Sequence, residues 1–207
     1  MIRLLKTLIV ETVNVIFAVL VAVLIFLALR HYIVQPFQVD GHSMDETLAD
    51  GEQMLMFKQT SLDRFDIVVF PDPRGSGDSY VKRIIGLPGD ELYYEDDQLI
   101  LNGIVVDEPY LEPLKSESIE NFTQDFDLWS GLGVTTVPDG YYFVLGDNRP
   151  YSGDSRQFGF VSIDSIVGEA NFIYFPFSEF GSLPNYQLLE DGQVISDKWP
   201  CNIEIPS

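Results

Sequence analysis

The sequence predicts a mainly β body behind one N-terminal apolar helix, with a small inserted subdomain. Three observations predict this. A long apolar run lies near the N-terminus, strand-length apolar segments separated by turn residues follow it, and an acidic, dissimilar stretch interrupts them.

The run "LIVETVNVIFAVLVAVLIFLAL" covers residues 8–29, with Glu11, Thr12 and Asn14 in its first third. At a helical rise of about 1.5 Å per residue it reaches about 33 Å, enough to cross a bilayer core. A cleaved signal peptide would have a shorter apolar core ending at a small-x-small site, whereas this run ends "FLALRHYIV". A buried core helix is disfavoured because Ile16 to Leu29 has no polar face. The segment therefore reads as an uncleaved single-pass transmembrane anchor. Arg3 and Lys6 precede it and Arg30 and His31 follow it, so the positive-inside rule weakly favours a short cytoplasmic N-terminus, residues 1–7, and an exported body.

Strands come next. "IVQPFQV" is extended, with Pro36 opposing helix continuation. "EQMLMFK", "DIVVF" and "YVKRIIG" are strand-length runs, the last two separated by the loop "PDPRGSGDS". In "LILNGIVV" two β-rich runs flank Asn102-Gly103, the dipeptide suited to a type I′ hairpin turn. "YYFVLG", "GFVSI" and "ANFIYF" complete the pattern, and no helix beyond the anchor is expected. Residues 107–138 are acidic, irregular and rich in turn formers, which reads as an inserted subdomain or long loop. The main β-domain is then residues 30–106 and 139–180, and residues 181–207 form a C-terminal appendage in which "QLLEDGQVI" is a possible hairpin.

Charge excludes one class of function. Of 12 Lys and Arg and 32 Asp and Glu, only Arg3, Lys6, Arg30 and Glu11 precede residue 31, leaving the remaining 177 residues with 9 cations against 31 anions, a net of −22. Such a body is repelled by nucleic acid. Cys201 is the one cysteine, so no intrachain disulfide forms, and with two His a structural zinc site is not expected. No metal or other cofactor is called for.

The candidate chemistry starts at "DGHSMDETLADGE", where Ser43 stands beside His42. On an extended strand successive side chains point to opposite faces, so His42 looks away, and His31 lies at the anchor. A His-dependent triad is disfavoured. Lysine can serve as the base when its charge is suppressed. In "YVKRIIGLPGD", Lys82 shares a strand face with Tyr80 and Ile84, while Arg83 shares the other with Val81 and Ile85. From a pKa of about 10.4, neutralising a lysine at pH 7 costs roughly 4.6 kcal/mol; a pKa near 8 cuts that to about 1.4, and burial of the ammonium shifts in that direction. Taken alone, a lysine between apolar neighbours is more often a snorkelling surface residue. The third segment, "GDNRPYSGDSRQFGFV", reads equally as a salt-bridged turn or as a scaffold whose hydroxyl, Ser152 or Ser155, orients a neutral lysine.

The combination decides. An anchor, then "GHSM", then "YVKRIIGLPGD", then "GDNRPYSGDSRQFG", in that order, resembles the bacterial type I signal peptidases, membrane-bound Ser-Lys endopeptidases that remove signal peptides from exported proteins. The resemblance runs from the anchor to about Pro176. It implies the signal-peptidase-type β-fold, with Ser43 as nucleophile, Lys82 as general base and Ser152 as the hydroxyl bonding that lysine. It further implies Asp154, Arg156 and Arg83 as residues that shape the site by ion pairing, Tyr80 as part of the substrate pockets, and Met44 beside the site.

Some members carry a hydroxyl residue two positions before the nucleophile to stabilise the oxyanion; here that place is Gly41. Losing one such donor typically costs about 2.7 to 4 kcal/mol, so the Ser43 backbone N–H needs a helper. Glu46 stands where the family usually has Pro, and Pro150 where it usually has an acidic residue. The Gly41 pattern and the short insertion resemble single-anchor Gram-positive members. The implied partners are the lipid bilayer and secretory precursors with small residues at the first and third positions before the cut, with contact to the translocation machinery left open. The implied location is the cytoplasmic membrane, catalytic body outside. Only 13 residues separate Arg30 from Ser43, a span of at most about 43 to 47 Å when extended, which holds the nucleophile near the bilayer. Two rival readings remain: a self-cleaving Ser-Lys protease of the repressor type, opposed by the anchor and the acidic body, and a catalytically silent anchored binding protein of the same fold.

Overall fold

The computed structural model describes residues 2–58 and 60–197, so Cys201 and the end of the expected C-terminal appendage lie outside the described residues. Helix α1 spans Ile2–Tyr32. It contains no Gly or Pro to break it. Its stretch Ile9–Ala28 has a mean hydropathy of 2.7, with none of it buried against the body, which excludes a core helix and fits membrane anchoring.

Strand β1 (Val34–Gln38) begins one residue after the helix. The chain continues through β2 (Gln53–Phe57), β3 (Ile67–Pro71), β4 (Ser79–Gly86), β5 (Leu92–Glu95), β6 (Gln98–Leu101) and β7 (Ile104–Val106). Helix α2 (Glu112–Glu117), β8 (Phe126–Asp127) and α3 (Leu128–Leu132) follow. β9 (Tyr141–Leu145), α4 (Ser155–Phe158), β10 (Val161–Ser162), β11 (Gly168–Phe175), β12 (Gly181–Ser182), β13 (Tyr186–Leu188) and β14 (Val194–Ser196) complete it.

The main sheet has the order β1-β2-β11-β3-β4-β9-β10, with β12 added to β11. Pro36 sits on β1, an edge strand, where a missing N–H is tolerated. β4 lies between β3 and β9, its Lys82 paired with Val68 and its Arg83 with Ile67 and Leu145. Because side chains alternate, Tyr80 and Ile84 on the face of Lys82 join a cluster with Val68, Phe70 and Val144. On the opposite face Ile85 packs with Phe65, Phe143 and Leu145. Both basic residues of β4 are therefore flanked by core, one on each side of the sheet.

A smaller sheet, β7-β6-β5-β8, is built around the expected hairpin, whose Asn102 and Gly103 have φ of 52° and 80° as a type I′ turn requires. Three of its strands precede residue 107, so this layer straddles the expected division between catalytic domain and insertion. Phe126, on its far strand, stacks on Phe143 of the main sheet at 5.6 Å between ring centres. Within 107–138 the chain is more regular than expected, and the body does contain helices. α2, α3 and α4 have 6, 5 and 4 residues, too short for a 3.6-residue apolar stripe to show in sequence. α3 is defined by its ends: Asp127 accepts from the Ser130 N–H at 2.8 Å, and Gly133 closes it with φ of 75°.

Candidate active site

Between β1 and β2 the chain makes a compact turn that carries Ser43. Val39 N–H donates to the Glu52 carbonyl at 2.8 Å, Gly51 N–H to the Val39 carbonyl at 3.0 Å, and Leu48 N–H to the Met44 carbonyl at 2.9 Å. Met44 and Leu48, fully buried, fasten the turn to Met54, Met56 and Val69. Ser43 is thus on a turn, not on the extended strand that the alternation of side chains assumed. His42 is removed from the chemistry for a different reason: its side chain is 72% exposed, and its Nδ1 lies 3.0 Å from Asp45 Oδ2. Gly41 has φ of +94°, and its N–H donates to Asp50 Oδ1 at 2.8 Å.

Lys82 comes to Ser43 from the middle of β4. Its Nζ donates to Ser43 Oγ at 2.7 Å and to the Val81 carbonyl at 2.9 Å, and it stands 5.4 Å from the centre of the Tyr80 ring. Only 3% of Lys82 is exposed. Burial pushes its amine down to about 8, against the pull of Asp154 and Asp147, because a charge removed from water is disfavoured. Among the described residues no acidic side chain bonds Nζ, so the neutral form is within reach near neutral pH. At a pKa of about 8 roughly a tenth of such amines are neutral at pH 7, several hundred times the share of an ordinary lysine.

The loop after β9 supports both residues from below. Asn148 N–H donates to the Ser43 carbonyl at 3.2 Å, and its side-chain amide to the His42 carbonyl at 2.9 Å. Thr47 Oγ1 donates to Asp147 Oδ2 at 2.5 Å. Asp147 is in turn gripped by Arg83, Nε to Oδ1 at 2.9 Å and Nη2 to Oδ2 at 2.6 Å, with both side chains at most 1% exposed. Gly146 is the tight spot of the loop, since any side chain there would collide with the Ser43 carbonyl and with Ser152. Ser152 Oγ is buried but bonds nothing among the described residues, so the expected hydrogen bond to Lys82 is not formed in this state. Ser155 serves the scaffold, accepting from the Val144 N–H at 2.9 Å. Asp154 and Arg156 form an ion pair at 2.7 Å, and Asp154 also accepts from the Gly146 N–H at 3.2 Å.

A second buried pair ties this loop to the insertion. Arg149 Nη2 donates to Glu108 Oε1 at 2.5 Å with both side chains at most 1% exposed, and Tyr94 and Tyr110 donate to the same oxygen at 3.0 and 2.8 Å. Sequence reasoning singled out none of Thr47, Asp147, Asn148, Glu108 and Arg149. The signal that was available is the segment "GDNRP", which contains three of them.

Ser43, Lys82, Gly41, Met44 and Tyr80 line one open cleft of about 420 Å³, with Phe37, Val39, Val69 and Val81 as apolar walls. Tyr80 is held there by a hydrogen bond from Arg74. Ser43 N–H donates to nothing among the described residues and is available to a developing oxyanion, whereas Gly41 N–H is occupied. A larger groove of about 640 Å³ on the Glu46 side of the turn, lined also by Asp50, Glu52 and Pro176, contains no nucleophile with a base. Among the described residues no three His, Cys, Asp or Glu side chains converge as a metal-holding group. What the cleft can do is acyl transfer: a hydroxyl and an amine poised near neutrality meet in a groove of mixed polar and apolar lining, beside a backbone N–H that bonds nothing among the described residues.

Comparison with known proteins gives a family. The family model described as "Signal peptidase, peptidase S26" matches residues 12–175. Signal peptidase I of Bacillus caldolyticus is 46% identical over 165 residues, covering 77% of this chain and 90% of that protein. Signal peptidase IB of Staphylococcus aureus is 40% identical over 174 residues, covering 80% and 90%. A crystal structure of a signal peptidase I from Enterococcus faecalis V583 is 49% identical, with a TM-score of 0.51, and covers 53% of this chain and 97% of that one.

Proposed function

The chain belongs to the signal peptidase family, peptidase S26, as a membrane-anchored protease that removes signal peptides from exported precursors, and from that premise we propose that Ser43 and Lys82 carry out the cleavage. The observation that carries this reading is the 2.7 Å approach of Lys82 Nζ to Ser43 Oγ inside a buried, apolar setting. Neutral Lys82 takes the hydroxyl proton as Oγ attacks the scissile carbonyl, and the resulting ammonium gives that proton to the departing amine. Water then enters, Lys82 accepts one of its protons as the oxygen attacks the ester, and the resulting ammonium returns a proton to Ser43 Oγ as the acyl group leaves, restoring the hydroxyl and the neutral amine. The Val81 carbonyl bond fixes the amine throughout. The oxyanion forms next to the Ser43 N–H.

Tyr80 is assigned to substrate contact in the cleft, with Gly41 and the buried Met44 beside it. The apolar walls support a preference for small apolar side chains at the first and third positions before the cut. Arg83, Asp154 and Arg156 are assigned to holding the site in shape through their ion pairs. Ser152, buried beside Gly146 and without a hydrogen-bond partner among the described residues, is assigned to orienting Lys82. The body is placed on the outer side of the membrane on the strength of Arg3 and Lys6 ahead of the anchor. The test uses the full-length enzyme in detergent on a secretory precursor. Ser43→Ala and Lys82→Ala are each expected to abolish processing, and undiminished cleavage by either sinks the assignment.

A further inference from the structure

The C-terminal hairpin β13–β14 lies beyond residues 12–175 that the family model matches, yet it sits over the ion pair that supports the nucleophile turn. Its seat is specific. Gly192 accepts from the Asp107 N–H at 3.2 Å, and a side chain at Gly192 would collide with the Val105 carbonyl. Leu188 and Val194 pack on the core that contains Tyr110 and Phe65. This places the Tyr186 ring 5.3 Å from the Tyr110 ring, tilted by 61°, and 5.5 Å from the Arg83 guanidinium carbon, which itself lies 4.1 Å over Tyr110.

We infer that Tyr186 is a positioning residue for the cleavage reaction, acting through Arg83, Asp147 and Thr47 on the turn that bears Ser43. The inference rests on the Ser43–Lys82 reading. Arg83 uses its fork on Asp147 and its remaining nitrogen on the Phe65 carbonyl at 2.8 Å, so its planar faces are satisfied only by rings. Tyr110 and Tyr186 supply them and keep water off an ion pair whose strength depends on a low local dielectric. A crevice of about 220 Å³ runs beside this point, lined by Thr47, Arg83, Tyr110, Leu183, Pro184 and Tyr186. Removal of the Tyr186 ring opens that crevice onto Arg83. Asp147 is then held less firmly, and the Thr47 hydroxyl that ties the turn to it loses its fixed acceptor. Ser43 drifts relative to Lys82, which lowers turnover and leaves the substrate walls untouched.

The experiment measures kcat and KM on a secretory precursor for full-length Tyr186→Leu, Tyr186→Phe, Thr47→Val and the Leu/Val double variant, well below each thermal midpoint. Expected are a roughly tenfold lower kcat for Tyr186→Leu with KM within about twofold, near-complete retention for Tyr186→Phe, and a double variant no slower than Thr47→Val alone, as coupled sites require. Full turnover in Tyr186→Leu, a loss carried by KM, or losses that multiply in the double variant overturns the inference. If Tyr186→Leu does not fold, Tyr186→Met serves the same comparison. Failure of the Ser43–Lys82 reading is seen separately, as activity retained by Ser43→Ala.

Discussion

Thr47 Oγ1 donates to Asp147 Oδ2 at 2.5 Å across a hundred residues of sequence, joining the turn that carries Ser43 to the loop beneath it. Thr47→Val keeps the shape and deletes the bond. Since hydrogen bonds to charged groups contribute about 1.5 to 3 kcal/mol, thermal unfolding is expected to show a loss within that range. Turnover on a precursor falls with it, while Arg83 still holds Asp147. An unchanged midpoint and unchanged kcat would show that the bond does not anchor the turn.

The proposed role of Lys82 as base carries a pH dependence. Its amine is depressed to about 8 by burial, so activity should rise with pH along an acid limb centred near 8, where an ordinary exposed lysine would keep it rising toward about 10. Stability follows the same group in a defined direction. Between about 8 and 10.5 the unfolded chain holds a proton that the folded one has released, so stability from this group rises with pH across that window and its full penalty applies below it. Lys82→Met is therefore expected to be inactive yet more stable at pH 7, by up to roughly 3 kcal/mol. Chemical denaturation of that variant at pH 7 and pH 10 checks it, with the gap over the parent shrinking at the higher pH.

Glu108 is the counterion of Arg149, and neither side chain is more than 1% exposed. Glu108→Gln leaves a guanidinium buried without its charge partner, a change that typically costs about 3 to 5 kcal/mol. Urea unfolding should show a large drop in midpoint. A loss of stability of less than about 1 kcal/mol would mean that Tyr94, Thr123 and the Gly146 carbonyl satisfy Arg149 without the carboxylate.

Gly41 occupies the place where some relatives carry a hydroxyl, but its φ of +94° is poorly suited to any side chain. Gly41→Ser is therefore expected to lower both stability and turnover, with backbone strain on the order of 1 to 3 kcal/mol, instead of restoring an oxyanion donor. A gain in kcat would show that the turn relaxes to a conformation in which the new hydroxyl faces the cleft.

The sequence was legible where chemistry is local. The anchor, the Asn102-Gly103 hairpin, the alternating faces of β4 and the hairpin in "QLLEDGQVI" all follow from neighbouring residues, and the structure has each of them. The family resemblance likewise needed only motif order, and the comparisons bear it out. What stayed hidden depends on distant partners. Thr47 with Asp147 and Glu108 with Arg149 are separated by 100 and 41 residues, and nothing in the periodicity of either segment reports the other. The edge of the small sheet was hidden for a related reason: β7 and β8 look like unrelated fragments until β5 and β6 come between them.

A single residue, Ile33, separates the end of α1 from the start of β1, and five residues beyond that strand stands Ser43. So short a joint leaves little slack between bilayer and cutting edge. An enzyme tethered in this way is expected to work at a nearly constant altitude above the lipid and to select bonds partly by where they hang. A precursor whose bond hangs at the wrong height should then go uncut, and glycines spliced in after Ile33 should blur the choice of bond.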